Sequence, residues 1–68
     1  MTMPKNYSPE YGYMYQLLTW DNYYREYDHL DYAKDKKEMR YLVGEYGMMG
    51  TICRIIRLPK KYWNEKGE

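Results

Sequence analysis

The stretch Thr51-Ile52-Cys53-Arg54-Ile55-Ile56-Arg57-Leu58 carries two periodicities at once, and which of them the chain obeys decides the fold. Its β-branched side chains and the stop at Pro59 fit a strand, whereas Ile52, Ile55 and Ile56 also recur at the spacing of a helix face. Read as a strand, the octapeptide belongs to a small α+β domain; read as a helix, it belongs to an all-α one. We read a strand, because four of its eight residues are β-branched and a proline closes it.

Upstream, Asp35 and Glu38 have the spacing of a capping box, in which each side chain satisfies an otherwise orphaned backbone N–H. Met39, Leu42, Val43 and Tyr46 then recur at i, i+3, i+4 and i+7, and Gly47 stands where a left-handed C-cap is wanted. The spacing predicts a helix over 36–46. Gly44 inside it costs about 1 kcal/mol against alanine, tolerable where a helix lies close on a sheet.

Further upstream, Tyr11 to Trp20 is aromatic-rich and reads as a strand buried on both faces, Asp21 to Arg25 as a turn, and Glu26 to Tyr32 as a second, more polar strand. A rival reading starts a helix at Ser8, with Pro9 in its first position, Glu10 in its first turn, and Tyr11, Met14, Tyr15 and Leu18 on one face. The tyrosines and Gly12 favour strands. The expected architecture is a single ββαβ domain over residues 1–68: an antiparallel hairpin plus a third strand, with one helix across a sheet face. The alternative is an all-α three-helix domain. In the preferred form the helix stripe packs on Met14, Leu18, Trp20, Leu30 and some of Ile52, Ile55, Ile56 and Leu58. Residues 1–6 and 64–68 read as flexible tails.

A chain of 68 residues buries roughly 60% of its unfolded surface and has little core to spare for a deep cavity. Cys53 is the single cysteine, so no disulfide framework is possible within the chain; this and the lack of an apolar leader or anchor segment predict a cytoplasmic protein with no membrane partner. The formal net charge of +1 argues against a DNA mimic or a polycation. Eleven tyrosines and two tryptophans stand beside no phenylalanine and one alanine. This Tyr, Lys, Asn, Ile and Met usage fits an AT-rich genome, such as those of low-GC bacteria and their phages. Tyrosine suits half-buried sheet faces and binding surfaces equally. On the open sheet face Tyr13, Tyr15, Tyr23, Tyr24 and Tyr27 are the candidate partner-binding residues, against the blander possibility that tails or a second copy cover them.

Catalytic constellations find few residues to build on. Ser8 is the only serine, Cys53 and His29 are one of each, and no glycine-rich loop precedes a helix; no catalytic residue, metal ligand or cofactor is assigned. The one acidic cluster is Glu26, Asp28, His29 and Asp31, in which strand alternation places His29 and Asp31 on one face and Asp28 on the other. A charged edge strand that resists aggregation explains it more simply than a divalent-ion or acid/base site.

Residues 51–68 carry five basic and two acidic side chains, residues 1–50 six and eight. Arg54, Arg57, Lys60 and Lys61 beside Tyr62 and Trp63 combine phosphate-pairing groups with stacking rings, a pattern suited to nucleic-acid contact or equally to a solubilising tail with Trp63 folded back. The stretch Lys36 to Arg57, KKEMRYLVGEYGMMGTICRIIR, resembles the helix-turn-helix of small bacterial and phage regulators. The resemblance implies a turn at Gly47, a recognition helix burying Ile52, Ile55 and Ile56, and Thr51 and Arg54 against bases or phosphates, with Arg57 beside Arg54 on the groove; Lys60 and Lys61 of the basic stretch join them as candidate nucleic-acid contacts. The segment from Gly47 to Thr51 is one residue short for that register, and Leu58-Pro59 ends the second helix after barely two turns.

The leading functional expectation is a small non-enzymatic binding protein of phage or mobile-element type that docks on a larger host protein and inhibits or modulates it. The alternative is a dimeric helix-turn-helix DNA-binding regulator. A small enzyme or metal protein built on the cluster around His29 comes third.

Overall fold

The computed structural model describes residues 6–64 and has the element order β1 (Tyr15–Asp21), β2 (Glu26–Ala33), α1 (Lys36–Met48) and β3 (Cys53–Arg57), followed by a 3₁₀ turn at Lys60–Tyr62. The strands form one antiparallel sheet in the order β2-β1-β3. This is the expected ββαβ architecture, and Cys53–Arg57 is a strand. The all-α alternative is thereby overturned: Thr51 and Arg54 are not on a recognition helix, and the helix-turn-helix geometry is absent. The physical reason is visible in the pairing, since the stretch from Cys53 to Arg57 aligns residue for residue with Thr19 to Tyr15. No helix among the described residues is long and apolar enough to cross a membrane.

The helix begins as its sequence dictates and ends later. The Asp35 carboxylate accepts from the Glu38 N–H at 2.8 Å, and the Glu38 carboxylate accepts from the Lys34 N–H at 2.8 Å, one residue beyond the partner a capping box uses. Gly47 is not the cap. The chain stays helical to Met48, and Gly50 takes the left-handed position with φ +83°. The Gly50 N–H bonds the Gly47 carbonyl at 3.0 Å and the Thr51 N–H bonds the Tyr46 carbonyl at 2.9 Å, the pair of bonds that closes a Schellman motif. Met39, Leu42, Val43 and Tyr46 are half-buried and α1 packs on β2 and β3, but no helix residue is fully buried.

The core lies in β1. Gln16, Leu17 and Leu18 are successive residues with no exposure, so they point to alternate faces and both faces are covered. Ala33, Ile56 and Leu58 complete the buried set among the described residues. Trp20, expected in the core, is 47% exposed, and Leu30 and Met14 are only half-buried. β1 starts at Tyr15 rather than Tyr11 because Gly12, with φ +94°, turns the chain and donates to the Tyr62 carbonyl at 2.8 Å, tying the start of the hairpin to the 3₁₀ turn.

The face of β1 opposite the helix is not open along its length. Gln16 Oε1 accepts from the Ser8 N–H at 2.9 Å, and Gln16 Nε2 reaches the Asn6 carbonyl at 3.0 Å and His29 Nδ1 at 3.0 Å. Tyr32 Oη donates to the Ser8 carbonyl at 2.6 Å. Asn6, expected in a flexible tail, is therefore pinned across the sheet; Asn64 has interactions of its own, and the rest of both predicted tails lies outside the described residues.

Candidate partner-binding end

Register places every candidate side chain. β1 pairs with β2 through Leu17↔Asp31 and then Leu18↔His29, so Leu30 is an extra residue, a β-bulge. The bulge reverses the expected facing of the acidic cluster: Asp28, opposite Thr19, shares a face with Asp31, opposite Leu17, while His29 lies on the other. Asp31 accepts from Tyr46 Oη at 3.0 Å, which raises the tyrosine pKa chiefly through that bond and marks this as the helix face. Near the hairpin Asp28 is crowded by Asp21 and Glu26; partial desolvation, then a hydrogen bond to Asp21 and the two neighbouring charges, raise its pKa above 3.8. No cluster among the described residues has the geometry to hold a metal ion.

The five tyrosines singled out from the sequence do not form one face. Tyr15, opposite Ala33 and Arg57, lies on the helix side; Tyr13 stacks on Tyr32 with ring centroids 5.0 Å apart; and Tyr27 lies on the opposite face, edge-on to Trp20 at 5.1 Å. Tyr23 and Tyr24 alone are widely exposed, at 84% and 68%, and stand edge to face at 4.8 Å in the β1–β2 turn. That turn is built by Asp21, whose carboxylate accepts from the Tyr23 N–H at 2.8 Å and the Tyr24 N–H at 3.3 Å. Arg25 closes it at φ +56°.

The basic residues are also spread out. The Arg54 guanidinium lies 4.9 Å from the Tyr27 ring centroid, Arg57 lies 4.9 Å and Lys60 5.9 Å from that of Trp63, and Lys61 lies 5.2 Å from that of Tyr62. Trp63 is folded back, donating Nε1–H to the Leu58 carbonyl at 2.9 Å. Thr51 serves the helix end. Burial pushes the Cys53 thiol above its ordinary pKa, away from nucleophilic use.

What the structure does bring together is the hairpin end of the sheet. A cleft of about 370 Å³ is lined by Thr19, Trp20, Asn22, Gly50, Thr51 and Ile52. Trp20 is held by its Nε1–H on Asn22 Oδ1 at 2.8 Å, and Ile52, across the cleft, is 87% exposed. The Tyr23-Tyr24 turn follows the Trp20 wall directly, and Met48 and Met49, 83% and 69% exposed, precede Gly50 on the other. Sequence reasoning missed Trp20, Ile52 and the two methionines as surface residues because each is apolar and was assigned to the core or passed over. The one signal available was the five-residue span from Met48 to Ile52, too short for its apolar residues all to face inward.

No protein-family model, no curated protein and no solved structure matches the chain.

Proposed function

We propose that this protein is a non-enzymatic binding domain that docks on a larger protein through its hairpin end and modulates it. The observation that carries the proposal is the cleft walled by the exposed Trp20 and Ile52, with the exposed Tyr23, Tyr24, Met48 and Met49 within four residues of those walls along the chain. Exposed apolar groups scattered singly need no explanation, but a cleft walled by two of them does. Tryptophan, tyrosine and methionine are the types enriched where protein interfaces are buried, and Asp21 and Asn22 hold two of the anchors in place before binding, which lowers the entropy lost on docking. A host protein bound by a phage or mobile-element product remains the specific form of this proposal.

The test replaces Tyr23 and Tyr24 with serine and compares capture from bacterial lysate with wild type and with Tyr41→Ser. Tyr41 is 64% exposed on α1 and controls for loss of a surface tyrosine as such. A partner retained by wild type and Tyr41→Ser, and weakened by about 2 kcal/mol or more in the turn variant, supports the site. A partner held equally by all three sinks it.

A further inference from the structure

The two free edges of the sheet are not equivalent. On β2, the edge facing away from β1 is partly engaged and locally displaced: Asn6 Nδ2 donates to the Tyr27 carbonyl, the Tyr32 N–H donates to the Asp31 carboxylate at 2.8 Å, and Leu30 bulges. These are the devices by which natural sheets blunt an edge. On β3 the Leu58 N–H donates to the Met14 carbonyl at 2.8 Å, so Leu58 bonds toward β1, next to the Tyr15↔Arg57 position of the ladder. Because antiparallel pairs alternate, Gln16↔Ile56 and Leu18↔Arg54 bond inward, and the N–H and C=O groups of Cys53, Ile55 and Arg57 point outward. No other described segment bonds to them, and Ile55 is itself 43% exposed.

The charge of this edge selects its occupant. Between Glu45 and Glu65 the chain carries Arg54, Arg57, Lys60 and Lys61 and no acid. A second copy pairing β3 with β3 about Ile55 sets Arg54 opposite Ile56 and Arg57 opposite Cys53, and the ladder then gathers four arginines with no acid on either strand to offset them. The acidic β2 of a second copy has the right sign but a blunted edge. We propose that β3 accepts an added strand from another protein: an extended segment with an aliphatic residue opposite Ile55 and acidic residues opposite Arg54 and Arg57. Main-chain bonds to Cys53, Ile55 and Arg57 hold it, and the cleft beside Ile52 receives the side chain beyond its end. The proposal rests on the reading of the hairpin end as a docking site, and names the chemistry of the partner there.

The probes are two synthetic nonapeptides with valine at the centre, one flanked by aspartate and glutamate, the other by lysine at the same places, each titrated into the ¹⁵N-labelled full chain. The acidic peptide is expected to shift the amides of Cys53, Ile55 and Arg57 and slow their hydrogen exchange, to bind at least about tenfold tighter than the lysine peptide, and to weaken with added salt. Ile55→Pro removes one outward donor while leaving the ladder to β1 intact, as an edge position allows, and abolishes the effect. Arg54→Glu with Arg57→Glu, should the proline variant not fold, reverses the preference between the peptides. Shifts confined to Trp20 and Ile52 overturn strand addition while leaving the hairpin-end site standing. Equal binding of both peptides, binding of neither, or displacement by a single-stranded oligonucleotide overturns the acidic-strand partner. A wild-type dimer in sedimentation that Ile55→Pro dissolves overturns it in favour of a second copy.

Discussion

At the scale of single residues, the positions that break a local rule are those that can be tested most directly. Arg25 sits at φ +56°, where a side chain crowds the following carbonyl and glycine does not. Arg25→Gly is expected to raise stability by about 0.5–1 kcal/mol in urea denaturation, the relief of left-handed strain outweighing the freer unfolded chain. Gln16 is the reverse case, a fully buried amide whose bonds are all satisfied. Because its Oε1 accepts from Ser8, its Nε2 must face His29, and Nδ1 of His29 is then the acceptor with the ring proton on Nε2. Gln16→Leu keeps the volume but leaves the Ser8 N–H and the Asn6 carbonyl without their partner; a loss of about 1–3 kcal/mol is expected, with Ser8 exchanging its amide hydrogen at the rate of an open chain. Asp28 tests the crowding near the turn. Its raised pKa means that the folded state holds the proton more tightly than the unfolded chain does, so this carboxyl favours folding when protonated and opposes it as the pH rises through the folded pKa. Asp28→Asn is expected to raise the Tm at neutral pH, and the gain should vanish on acidification to about pH 3 and below, where the wild-type carboxyl is largely neutral in both states. A gain that persists in acid would refute the assignment.

At the scale of elements, the parts legible from sequence were those with a strong period or a cap. The stripe Met39, Leu42, Val43, Tyr46 located the helix and the face it presents, and Asp35 marked its start. Its end was misplaced because Gly47 and Gly50 are both glycines within one turn, and only backbone geometry tells the one at φ +83° from the one that stays helical. The bulge at Leu30 left no mark in sequence, since nothing in Glu26 to Ala33 shows which residue β1 skips, and a slip of one position reverses the facing of all that follow. The two glycines make a discriminating pair. A Cβ added at Gly47 meets nothing within 4 Å, and Gly47→Ala is expected to stabilise the protein by up to about 1 kcal/mol through helix propensity. Gly50→Ala also meets no atom but forces alanine into the left-handed region, and is expected to cost about 1 kcal/mol or more. Thermal melts showing the opposite order would move the helix end back to Gly47.

At the scale of the whole molecule, the fold is a covered strand with a helix leaning on it. Among the described residues the buried apolar side chains are Leu17, Leu18, Ala33, Ile56 and Leu58, four of them on strands and Leu58 at the end of one, none on α1. Hydrophobic stabilisation follows buried area, so the sheet and not the helix holds the larger share of a net stability that is small at this size. Two consequences separate the layers. Native-state hydrogen exchange should show amides of Gln16 to Leu18 opening only with global unfolding, while amides in α1 exchange through local openings of lower free energy. Leu18→Ala should cost about 2–5 kcal/mol, enough to leave much of the chain unfolded at room temperature, whereas Val43→Ala, on the half-buried helix stripe, should cost distinctly less and leave the protection of β1 unchanged. Helix and strand amides exchanging at one common free energy would instead show a single cooperative unit. The docking end would then be as rigid as the core, and the Gly50–Ile52 wall of the cleft could not yield to an incoming partner without unfolding the sheet.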